Sequence, residues 1–347
     1  MTDRDDRVAD DSEMPEGGAL NGELPDGEVA VRPRALAWVG RQLDAGERIV
    51  RTETLHGGIT AEIRRLTVRR QDGSTRDLVL RTFAAPAFVA QAEDLLTRES
   101  GVLALLAGTG VPAPDPIAVD ATATHCEYPS LLMTHMPGRT VYDDEGLEAR
   151  ITLLARQLVA IHALRPAERP REYEAWASAD TVVPPEGADP VAWAAAAEVI
   201  REPPPPYEGR FLHRDFHPGN ILFETPGGSL HGATAPRITG IVDWVETSWG
   251  PADLDVAHCS TNLALLHGPA WAPRFAAAYE AAGGVLAAAP GERRYWRLLD
   301  ALSFASIGAL VVEPWRRSGR TDLTARTVEQ RLDAYVTALL DDVRDED

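Results

Sequence analysis

No lysine occurs in this chain of 347 residues; all 34 of its basic side chains are arginine. Any role that needs a compact, flexible ammonium group therefore falls to a planar guanidinium or stays empty. Cysteine is nearly absent too. Cys126 and Cys259 are too few for a disulfide framework or a zinc site. No apolar run reaches membrane-spanning length, so a soluble chain with no membrane partner is expected. The opening Met1-Thr-Asp-Arg-Asp-Asp lacks the basic and apolar regions of a secretory signal, and a cytoplasmic location is expected. Positive charge is in short supply: 53 acids against 34 bases give a net charge of −19. That balance disfavours nucleic acid and anionic surfaces and would attract a cationic small molecule. Nothing in the sequence speaks to oligomeric state.

What is present divides along the chain. Residues 1–30 are acidic, rich in Gly and Pro and poor in aromatics, so a disordered tail is expected. Arg34 to Leu43 suits a helix. Strand-like segments follow at 51–55, 61–70 and 75–83, the last two joined by the turn Gln71-Asp-Gly-Ser. Residues 87–107 read as one helix, with Phe88, Leu95, Leu96, Val102, Leu103 and Leu106 at helical spacing. Two more strands are expected at 117–120 and 130–134. This β-β-β-α-β-β order predicts a five-stranded lobe over 31–136.

A largely helical second lobe is expected over 137–347. Leu147, Ile151, Leu154, Leu158 and Ile161 form one stripe. Residues 166–206 are rich in Trp, Ala and Pro and end in the stiff run Pro203 to Pro206. Further helices are expected around 252–267, 269–282, 291–313 and 322–345. The fold class is α+β and bilobal.

One stretch carries chemistry: Phe211-Leu-His213-Arg-Asp215-Phe-His-Pro-Gly-Asn220, then Ile241-Val-Asp243-Trp244. Phosphoryl transfer from a nucleotide needs such a set: one acid at the attacking hydroxyl, an amide and a second acid to hold Mg²⁺ against the phosphates. Asp215 is the candidate base; Asn220 and Asp243 are the candidate ligands, hard oxygens suited to Mg²⁺. Taken alone, Asp-Phe-His-Pro-Gly-Asn is also a good turn sequence; the spacing to Asp243 decides against that reading. A binding protein without catalysis would lack one of the three. Glu99 lies on the apolar stripe of its helix, where a carboxylate is costly unless paired. Arg81 alternates with Val79 and Phe83 on one strand face, so a buried Arg81–Glu99 pair is expected.

The order H-x-D-x4-N followed by I-V-D-W resembles the aminoglycoside phosphotransferase family, small-molecule kinases sharing the protein-kinase fold. The resemblance implies a bilobal kinase-like fold and transfer of the γ-phosphoryl group of ATP or GTP, with Mg²⁺, to a small-molecule hydroxyl. The acceptor would be an aminoglycoside or similar antibiotic, or else an amino alcohol, sugar or hydroxyacyl thioester. It also implies that Arg81 is the third-strand cation, that Glu99 is its helix acid, and that Gly57 and Gly58 form a phosphate loop. The segment through Thr134 and Met136 becomes the hinge that reads the purine edge. His213 would pack the catalytic loop and Asp255 would brace it. Glu246, Asp253 and acids within 170–202 are candidates for holding a cationic acceptor. Asp243-Trp244-Val245 lacks the glycine of protein kinases, and only seven residues separate Asp243 from Pro251. That leaves no room for a phosphorylatable activation loop and argues against a protein kinase.

Overall fold

A computed structural model describes residues 32–55, 61–224, 236–305, 307–308 and 310–341. The expected acidic tail and the glycine pair Gly57-Gly58 lie outside the described residues. Helix α1 (Pro33–Gly40) opens on a proline, whose fixed φ and missing N–H suit a first turn. Strands β1 (Arg48–Leu55), β2 (Glu62–Arg69), β3 (Thr75–Thr82), β4 (Pro116–Asp120) and β5 (Ser130–Thr134) form one antiparallel sheet in the order β1-β2-β3-β5-β4.

Period-two alternation sorts this sheet onto two faces. Leu66, Val68, Leu78, Leu80 and Leu132 pack with Trp38 and Val39 of α1. Val79, Phe83, Leu131 and Met133 face the other way, into the main core. Arg81 has the parity of this second set and is buried with it.

Residues expected to form one helix over 87–107 form two, α2 (Pro86–Val89) and α3 (Ala92–Leu106). Phe88 is only half-buried, so the stripe that anchors the helix begins at Ala92 and runs through Leu96, Glu99, Leu103 and Leu106.

Beyond the hinge lie α4 (Leu147–His162), α5 (Pro190–Arg201), β6 (Gly209–Leu212), β7 (Ile221–Glu224), β8 (Arg237–Ile241) and β9 (Ser248–Pro251). Then come α6 (Ala252–His267), α7 (Trp271–Ala281), α8 (Pro290–Ser303), α9 (Val312–Arg317) and α10 (Ala325–Asp341). Helix α5 was not anticipated, although Asp189 caps it by accepting from Val191 N and Pro190 starts it. The helix expected over 291–313 ends instead at Ser303, whose hydroxyl turns back onto the Asp300 carbonyl at 2.7 Å. Helix α6 is buried from Ala252 to Leu266 and forms the spine against which α7, α8 and α10 pack.

The linker after β5 is sewn to the helical part. Arg139 N donates to Phe223 O at 3.0 Å and Phe223 N to Arg139 O at 2.8 Å, while Thr239 Oγ1 donates to Pro137 O at 2.6 Å. Between them Gly138 has φ +104°, and a Cβ there would sit 2.5 Å from Thr239 Oγ1 and 2.8 Å from Phe223 O. Gly138→Ala is therefore expected to destabilise the fold by about 1–3 kcal/mol through strain and overpacking. A urea midpoint equal to wild type would contradict this. Among the described residues no helix is long and apolar enough to cross a membrane.

Candidate active site

Two small antiparallel pairs bring the motif together. Ile221 of β7 pairs with Ile241 of β8, so Asn220, just before β7, and Asp243, just after β8, emerge at the same end of one hairpin. Leu212 of β6 pairs with Ser248 of β9, which launches the loop 213–220 beside them. His213 ties the segments: its Nδ1 accepts from Asp215 N at 3.2 Å and its Nε2 donates to Val242 O at 3.1 Å. Both nitrogens are satisfied by a neutral ring, and burial keeps its pKa below the ordinary range. Val242 N also donates to Asn220 O at 3.0 Å.

Two site residues sit in the left-handed region, Arg214 at φ 72° and Asp243 at φ 62°. Such conformations cost roughly 1–3 kcal/mol and persist where the surroundings over-determine them. Asp255 of α6 does this for Arg214. One carboxylate oxygen accepts from Arg214 N at 2.7 Å, the other from His213 N at 2.9 Å and from His162 Nε2 at 3.1 Å. Asp255 thus braces the loop from the following helix, as expected. Burial opposes its ionisation, but the His162 hydrogen bond and neighbouring histidines outweigh it and lower its pKa.

Asp215 is held from two sides. Asn220 Nδ2 donates to its Oδ2 at 2.8 Å and to its carbonyl at 2.9 Å. His258 Nε2 lies 3.0 Å from its Oδ1. Burial works against the charge, yet the imidazoles of His217 and His258 outweigh it and hold the carboxyl well below the ordinary range. With the Asn220 amide nitrogen committed to Asp215, its oxygen is turned the other way.

Arg81 and Glu99 do meet: Nη1 donates to Glu99 Oε1 at 2.9 Å. The same nitrogen reaches Asp243 Oδ1 at 2.9 Å, a link across the hinge that was not anticipated. Burial pushes the Glu99 carboxyl up to about 7 against the pull of Arg81. The arginine itself stays charged: burial opposes this, and the carboxylates of Asp243 and Glu99 raise its pKa further.

Thr134 ends β5 and Met136 lies in the linker after it; Thr134 Oγ1 accepts from Asp115 N at 2.8 Å and Met136 abuts Gly240. Of the acids considered for a cationic acceptor, Glu246 is paired with Arg171 at 2.6 Å and Asp253 accepts from Ala287 N.

Sequence reading missed His258 and Asp300, whose Oδ1 lies 3.0 Å from His258 Nδ1. The signal was present, since Asp255, His258 and Asn262 recur at i, i+3 and i+7 on a buried helix.

Ligand atoms of Asp215, His217 and His258 lie within 4.8 Å of one another. They do not suit a metal. His217 Nδ1 accepts from Gly219 N at 3.1 Å, so its Nε2 carries the proton that a metal would need removed. Burial lowers the His217 pKa to about 4, leaving that ring neutral.

The chain resembles known proteins in fold. Phosphotransferase APH(4)-Ia, an aminoglycoside enzyme seen as a thermostable mutant with ADP and hygromycin B, superposes with TM-score 0.53 at 18% identity. It covers 83% of this chain and 94% of its own. Macrolide 2'-phosphotransferase MphH from Brachybacterium faecium gives 0.50 at 17% identity over 87% and 97%. The GDP complex of aminoglycoside 2'-phosphotransferase-IIIa gives 0.51 at 17% identity over 84% and 93%. No curated protein matches the chain. The phosphotransferase enzyme family profile matches residues 58–296, well over half of the chain. With the kinase-like sheet and helical part around the Asp215 loop, this places the chain in the phosphotransferase enzyme family, as an enzyme that phosphorylates hydroxyl groups.

Proposed function

We propose that the enzyme transfers the γ-phosphoryl group of ATP or GTP to a hydroxyl of a small molecule, an antibiotic such as an aminoglycoside being the first candidate. The observation that carries this reading is the convergence of Asp215, Asn220 and Asp243 at one end of the β7–β8 hairpin. The complexes of structural relatives with ADP, GDP and hygromycin B support the choice of partners. In this reading residues 31–136 form the nucleotide lobe, 137–347 form the catalytic and acceptor lobe, and the enzyme works in the cytoplasm.

The donor set fits Mg²⁺. Asn220 offers an amide oxygen and Asp243 a carboxylate with one oxygen left beside the Arg81 contact, both hard ligands. When bound, Mg²⁺ supplies positive charge against the phosphates. Arg81, fixed by Glu99, adds a guanidinium on the sheet side. Asp215 accepts the hydrogen bond of the acceptor hydroxyl and aims its oxygen at the γ-phosphorus. As the new P–O bond forms, the bond to the leaving nucleoside diphosphate breaks. The hydroxyl proton leaves through Asp215 to solvent.

Asp243→Ala is expected to weaken Mg-nucleotide binding about 10–100-fold, the scale of one charged contact worth roughly 1.5–3 kcal/mol. Calorimetry with and without Mg²⁺ measures it; equal Mg²⁺ dependence in both proteins would contradict the ligand role.

Glu246 already has Arg171 as a cationic partner, whereas Asp253, among the described residues, accepts only from Ala287 N. An amino alcohol, sugar or hydroxyacyl thioester is the second acceptor class. The deciding experiment is a nucleotide-consumption screen, with ATP and with GTP, across antibiotics and metabolite alcohols. Consumption stimulated by no hydroxyl compound would overturn the proposal.

A further inference from the structure

His258 stands in the middle of a row of charges reaching from the helical core to the catalytic loop. Its Nδ1 faces Asp300 Oδ1 of α8 at 3.0 Å and its Nε2 faces Asp215 Oδ1 at 3.0 Å. Both carboxylates accept and neither donates when ionised, so the ring satisfies both contacts only with a proton on each nitrogen. A neutral ring would turn a lone pair onto one of the carboxylates at hydrogen-bond distance.

The surroundings favour the doubly protonated ring. His258 is 4% exposed and Asp300 1%, so little water screens the contacts. Arg214 Nη1 lies 3.9 Å from Asp300 Oδ1, and the Arg214 guanidinium stacks 3.7 Å over Trp176. Trp176 and Phe304 pack against the His258 ring, the neutral His217 lies 5.6 Å away between centroids, and Asn262 Nδ2, 3.3 Å from Nε2, spends its donor on the His258 carbonyl at 3.0 Å and not on the ring. The charged groups facing the imidazole are thus Asp215 and Asp300, with Arg214 behind Asp300.

We propose that His258, clamped by Asp300, is a positioning residue for phosphoryl transfer: a fixed imidazolium that holds Asp215 in the one orientation that receives the acceptor hydroxyl. Charge-assisted hydrogen bonds of this kind are short and about twice as strong as neutral ones. With Asn220 on Oδ2 and His258 on Oδ1, the Asp215 carboxylate cannot rotate without breaking one of them. The arrangement follows the logic by which a buried aspartate orients a catalytic histidine, shifted one residue back from the reacting atoms. Asp215 then serves as an orienting acceptor, and the hydroxyl proton moves late, with bond formation. The inference rests on Asp215 being the residue that meets the acceptor.

Burial opposes the charge on His258, while Asp300 and Asp215 outweigh it and raise its pKa to about 9. The imidazolium therefore persists through neutral pH and is lost as pH rises through that value. Turnover should fall over the same range.

The test combines histidine ring-nitrogen NMR of the full chain with the pH profile of Mg-nucleotide hydrolysis, water serving as acceptor. His258 is assigned by its absence in His258→Gln. The expected result is a doubly protonated ring at neutral pH, titrating near 9 in step with the basic limb of kcat. In Asp300→Asn both should move to lower pH. His258→Gln is expected to lower kcat about 10–100-fold with KM for nucleotide unchanged, as for an interaction made only in the transition state. A neutral His258 ring at neutral pH overturns the inference directly, and this readout needs no variant to fold. So does a basic limb that stays put in Asp300→Asn while Asp215→Asn is inactive. If Asp215→Asn hydrolyses nucleotide as wild type does, the reading of the site itself fails, and this inference with it.

Discussion

Replacing Asp215 by asparagine is expected to slow phosphoryl transfer by about 10²–10⁴-fold, the range removed when a positioned acid or base is lost. The size of the effect follows from what surrounds the carboxylate. Asn220 and His258 both point donors at it. An asparagine offers one acceptor oxygen and must turn its own N–H₂ toward one of those donors. The loop then either rotates the amide away from the acceptor site or leaves a buried donor unpaired, at roughly 1–3 kcal/mol.

Nucleotide binding should survive, because Arg81, Glu99 and Asp243 form their own arc and none of their mutual contacts passes through Asp215. The measurement is a kcat and KM pair for nucleotide, beside calorimetry of Mg-nucleotide binding. A variant that keeps wild-type turnover would remove Asp215 from the chemistry. One that loses nucleotide affinity as steeply as turnover would make it a structural residue.

The parts of this site that were legible in the sequence are those whose logic is local. Asp215 and Asn220 lie five residues apart in one loop, and Asp243 follows a short apolar strand, so spacing alone brings them together. Glu99 was legible for a different reason: a carboxylate on a buried helical stripe needs a partner, and the strand parity of Arg81 supplied one.

What was not legible depends on distance along the chain. The bond from Arg81 to Asp243 spans 162 residues and joins two elements with no shared pattern. Asp300 sits inside the apolar run Leu298-Leu299-Asp300-Ala301-Leu302 and signals a buried charge as clearly as Glu99 does. Its partner lies on another helix, 42 residues away. Helix α5 is masked in the sequence by the proline-rich stretches on either side, although its Asp-Pro start and alanine run are themselves helix signals. The splits at Ala90-Gln91 and after Ser303 were invisible to periodicity, since apolar residues continue on both sides of each break.

The largest effect on stability is expected at Asp255. Its carboxylate is fully buried and satisfies two backbone N–H groups of the catalytic loop together with the His162 ring. Asp255→Ala strands all three donors without water, and removing one partner from a buried ionic network typically costs about 3–5 kcal/mol. Set against a total stability of roughly 5–15 kcal/mol for a folded domain, this is about a fifth or more of what holds the protein together. Asp255→Asn should be nearly as harmful, because its amide N–H₂ would face one of the donors. The loss is not confined to stability. Arg214 is held at φ 72° by the hydrogen bond from its N–H to Asp255. Without that bond the residue relaxes toward negative φ and carries the neighbouring Asp215 with it. Urea denaturation should show a lowered midpoint at unchanged slope. The fraction that still folds should have a reduced kcat, and Mg-nucleotide affinity should be preserved through Arg81 and Asp243. A midpoint equal to wild type would mean that the loop is held by its own hairpin contacts, and that Asp255 merely fills a buried position.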